Sequence, residues 1–135
     1  AQLKAKAGKG EDSVRQAAFR LMIFVPLKER DDALKTIEAE WKSQPSTECK
    51  KEMINTVYYL IMMKPSVGEP AQRAGIKWLV EHAVKDPTPE VEAAAAGVLS
   101  SITEQKLHKK EEWRQWYGSN GAYKVRDTQL IESPL

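Results

Sequence analysis

Apolar residues recur in this chain at helical spacing, and the same helical pattern is written three times. The copies read SVRQAAFRLMI from Ser13, CKKEMINTVYYLI from Cys49 and EVEAAAAGVLSSI from Glu90. With Val14 set over Lys50 and Val91, Ala17 falls on Met53 and Ala94, and Ala18 on Ile54 and Ala95. Leu21, Val57 and Val98 come next, then Val25, Ile61 and Ile102. The steps are 36 and 41 residues. An apolar pattern returning at about 40 residues marks a stacked helical repeat, in which each unit buries its face only against its neighbours.

Breakers and caps place about six helices between these landmarks. A first helix is expected from a cap at Asp12 or Ser13 to about Val25, where Pro26 stops or kinks it. Asp31 and Asp32 suit the positive end of a second helix, whose stripe is Leu34, Ile37 and Trp41. Ser46 or Thr47 caps a third, running to about Met63, and residues 64–68 form a breaker. A fourth runs from about Glu69 to Lys85 on a stripe of Ile76, Leu79, Val80 and Ala83. The Asp86-Pro87-Thr88-Pro89 turn leads to a fifth helix ending near Ile102. A short sixth spans Lys110 to Tyr117, with Trp113, Trp116 and Tyr117 on one face to seal the core. The expected organisation is a flexible basic leader over 1–11, one helical domain over 12–118 and an extended or disordered tail over 119–135.

The stretch RAGIKWLVEHAVKDPTPEVEAAAAGVLSSI resembles a bacterial HEAT-like repeat of the phycobilisome-lyase-associated type. There a helix ends in an Asp-Pro turn, and an Ala-rich helix opening with Glu-Val comes after it. EEWRQWYGSN resembles the Trp-rich closing helix of such proteins. The likeness is best over 70–120; Glu92 stands where the family has Arg, and Lys50 replaces Val in the middle copy. The resemblance implies an all-α fold, a short right-handed α-solenoid of stacked antiparallel helix pairs, that binds other proteins. It does not imply lyase activity, because a fold does not fix a function.

Two features exceed ordinary core. The first and third helices are apolar nearly all round, as helices buried on every side are. The first stands at the end of the stack, so a cover is expected there: the C-terminal segment, a second copy, another protein or an upstream helix. Trp78 points away from the fourth helix's stripe, either to pack near Trp41 or to anchor a partner. One step off the core stripe, the repeat register sets Gln16, Glu52 and Ala93 in a row. Next come Phe19, Asn55 and Ala96, then Arg20, Thr56 and Gly97, then Ile23, Tyr59 and Ser100. Phe19, Arg20, Ile23, Asn55, Tyr59 and Trp78 are therefore the candidate partner-binding residues.

Composition narrows the function without naming a partner. Of 135 residues 41% are hydrophobic and 30% charged, the balance of a globular chain. The longest apolar run is the seven residues Val57 to Met63, too short to span a bilayer. The net charge of +2 is uneven: the leader carries +3 from Lys4, Lys6 and Lys9, 11–103 carries 12 basic and 14 acidic residues, and 104–135 carries 6 basic and 5 acidic. A folded face that grips nucleic acid needs clustered Lys and Arg, so that reading stays secondary. With one cysteine, Cys49, no internal disulfide forms; the protein is expected to be soluble, either cytoplasmic or exported with its signal removed. His82 and His108 lack partners at metal-ligand spacing, and neither a phosphate-binding glycine loop nor a nucleophile motif occurs. The chain reads as non-enzymatic, without cofactor or metal: a scaffold or adaptor that binds a protein or peptide, or itself through the first helix.

Overall fold

The computed structural model describes residues 6, 11–43, 45–62, 69–103, 106–107, 109 and 111–117. Expectations for the rest of the leader, the 64–68 breaker and the 119–135 tail lie outside these residues. The described residues are all-helical, and none of them is in a strand. The chain divides into two compact units, Ala1–Val67 and Gly68–Leu135.

The first unit holds α1 (Asp12–Leu21), α2 (Leu27–Trp41) and α3 (Thr47–Met62). The cap residue of α1 is Glu11, whose carbonyl accepts from the Val14 and Arg15 amides, both at 3.0 Å. Asp12, expected as a cap, is the first helical residue; its carboxylate instead accepts from Gln16 Nε2 at 2.7 Å. Pro26 ends α1 by steering the residue before it: Val25 is extended, with φ −70° and ψ 154°. The chain tightens into a 3₁₀ turn over Met22–Phe24 on the way. Pro26 also opens α2, its carbonyl accepting from the Glu29 amide at 2.8 Å. Thus α2 begins a turn earlier than its acidic pair suggests, and Asp31 and Asp32 lie inside it. Its stripe of Leu34, Ile37 and Trp41 is buried as expected. Ser46 caps α3, its Oγ accepting from the Cys49 amide at 3.1 Å.

Contacts between these helices set their directions. Arg15, early in α1, reaches Glu40 and Ser43 at the far end of α2, at 3.3 and 3.0 Å. Arg30, early in α2, donates to the Val25 carbonyl just past the end of α1. The Arg15 contacts thus join the start of α1 to the end of α2. Between α1 and α3 the contacts advance together. Ser46 Oγ donates to Asp12 Oδ1 at 2.6 Å, and Phe19 and Arg20 meet Thr56 and Glu52 further on.

The second unit holds α4 (Glu69–Trp78), a π turn over Leu79–Ala83, α5 (Pro89–Thr103) and α6 (residues 111–117). The Val84 amide donates to the Leu79 carbonyl at 2.9 Å, five residues back. Leu79, Val80, Ala83 and Val84 are all buried, so with Ile76 the stripe expected for this helix faces inward. Asp86 Oδ1 accepts from the Thr88 amide at 2.9 Å and shapes the turn, after which the Thr88 carbonyl accepts from Val91 and Glu92. α6 opens with a reach-back cap: Glu112 Oε1 accepts from the Lys109 amide at 3.0 Å. Trp113 and Trp116 are buried edge to face, their centroids 5.7 Å apart. Trp113 Nε1 donates to the Leu107 carbonyl at 3.1 Å.

The repeat register survives in one row. Ala18, Ile54 and Ala95 are all buried. The Ala17, Met53 and Ala94 row is not uniform, because Met53 is fully buried while both alanines are half-exposed. α1 buries Ala18 and Phe19, with Met22 just beyond it, and leaves Val14 and Leu21 exposed. α3 buries a wider arc, from Cys49 and Lys50 through Ile61.

Candidate functional site

The six candidate residues separate by burial. Phe19 has no exposed surface and Trp78 is 5% exposed, so both are core side chains and neither is available to a partner. Phe19 is turned inward because α1 is packed on two sides, against α2 through Arg15 and against α3 through Thr56. A helical wheel fixes the angle between residues and not which angles have neighbours. Trp78 is buried although it lies off the stripe, as is Gly75 on the same side of α4.

The other four keep accessible surface, Arg20 on α1, Ile23 in the turn after it, and Asn55 and Tyr59 on α3. Arg20 and Asn55 are exposed, Tyr59 is 42% exposed and Ile23 is intermediate. Arg20 does not extend freely: Nε and a terminal nitrogen both donate to Glu52 Oε2, at 3.2 and 2.8 Å. The pair spans the two helices at the surface, where it orients both side chains more than it stabilises them. Tyr59 packs edge to face on Tyr58, with ring centroids 5.3 Å apart. The buried Thr56 hydroxyl donates to the Phe19 carbonyl at 2.9 Å. This side-chain-to-backbone bond ties α3 to α1.

One exposed aromatic escaped the register argument. Phe24 is 74% exposed. It lies in the 3₁₀ turn two residues before Pro26, where the α-helical wheel no longer applies. A proline two positions on was the available signal. Val14 at 39% and Leu21 at 47% add to the apolar surface of α1.

Two positions with apparent chemical potential have structural roles. Cys49 has no exposed surface, and burial pushes its thiol up to about 11, against the effect of the nearby Arg15 charge. Its place near the start of α3 does not produce a thiolate, because desolvation outweighs the helix-end field. Lys50, where the repeat needs an apolar residue, is buried, with its ammonium 5.1 Å from the Trp41 ring centroid. The aliphatic stem fills the apolar position while the charge lies over the indole face. Among the described residues no group of three His, Cys, Asp or Glu is placed to hold a metal ion, and no helix is long and apolar enough to cross a membrane.

No protein-family model, curated protein or solved structure matches this chain.

Proposed function

We propose that this chain is a non-enzymatic, HEAT-like helical repeat module that binds another protein or peptide along a ridge of α1 and α3. The observation that carries the reading is the contact pattern of the first unit. α1 and α3 advance together, and the start of α1 meets the end of α2, contacts that a stacked two-helix repeat would make. In such a stack the inner helices line one face with side chains that the core does not use. Here those are Arg20, Ile23, Asn55 and Tyr59, a mixed aromatic and polar set suited to an extended or helical peptide. The protonated, buried Cys49 favours a binding role over thiol catalysis.

The test is site-specific photocrosslinking in the native source, with the reactive group at Asn55 or Tyr59 and a control at exposed Lys77 on α4. The same protein should crosslink at both ridge positions and not at the control. With that partner purified, an Asn55→Ala/Tyr59→Ala double variant should bind at least about 10-fold more weakly, roughly 1.4 kcal/mol. Undiminished affinity with retained helicity removes the ridge as the site. Binding to duplex DNA that falls steeply with added salt would favour a nucleic-acid module instead.

The exposed apolar edge of α1 favours a second reading, a helical domain that homodimerises. Light-scattering mass across a dilution series decides it. A monomer at every concentration excludes it, whereas a dimer abolished by Leu21→Asp supports it.

A further inference from the structure

We draw no further inference here: the strongest candidate, the exposed apolar patch of Val14 and Leu21 on α1 and Phe24 in the turn after it, carries nothing beyond the readings above because nothing in the structure shows what covers it.

Discussion

The Thr56 hydroxyl donates a buried 2.9 Å hydrogen bond to the Phe19 carbonyl, 37 residues earlier in the chain. The same carbonyl also accepts from the Met22 amide, where α1 tightens into its 3₁₀ turn. It therefore serves both the end of α1 and its attachment to α3. Thr56→Val keeps the shape and removes the donor. It should lower stability by about 0.5–1.5 kcal/mol, because one hydrogen bond is lost while the Met22 amide keeps the carbonyl partnered. Thr56→Ser should retain most of the stability. Urea unfolding monitored by circular dichroism reads both; a Val variant as stable as the parent would show that the bond is not needed.

Lys50 is a charged residue at a buried position. Trp41 supplies the face that receives it. Lys50→Ala should cost about 1–2 kcal/mol through lost stem packing and the lost cation–π contact. Lys50→Met keeps most of the volume and should recover much of the loss. Should Met prove as damaging as Ala, the charge rather than the stem is what the site requires.

Gly97 lies exposed inside α5, and among the described residues no atom comes within 4 Å of a Cβ built there. The small residues Ala93 to Gly97 suggest a close backbone approach, yet at Gly97 that space is open. Gly97→Ala should therefore stabilise the protein by roughly 0.5–1 kcal/mol, by lowering the entropy of the unfolded chain and improving helix propensity. Thermal unfolding checks the sign. Destabilisation would mean that α5 does not keep its helical backbone at this position.

Much of the architecture was legible in local signals. Ser46 as a cap, the α2 stripe and the buried tryptophans of α6 all arise from short-range patterns. Misplaced features depend on information that spacing does not hold. Pro26 was readable as a stop, but its carbonyl also starts α2, which hides the true start behind the acidic pair. The inward turn of Phe19 depends on where α2 and α3 sit around α1, and three aligned copies do not say which side each helix presents. The π turn at Leu79 was not readable from spacing, yet the stripe expected across it, Ile76, Leu79, Val80 and Ala83, is buried all the same. Of the candidate site, the exposed residues Arg20, Asn55 and Tyr59 came from register, and Phe24 was lost to the 3₁₀ turn.

Cys49 gives the fold a pH dependence whose sign is fixed. Its thiol titrates at about 11 in the folded protein against 9.0 for an ordinary cysteine, because burial penalises the thiolate. A raised folded value means the folded state holds the proton longer. The associated stability is fully present below pH 9 and is lost as pH rises toward 11. Urea midpoints measured from about pH 8 to 11 should fall, and Cys49→Ala should flatten that part of the decline after allowance for its own cavity cost. The same burial predicts slow labelling: a thiol-exchange reagent at about pH 8 should react at least about 100-fold faster with urea-unfolded than with folded protein. Equal labelling rates would mean that Cys49 is accessible in the folded chain, and the alkaline slope would then need another group.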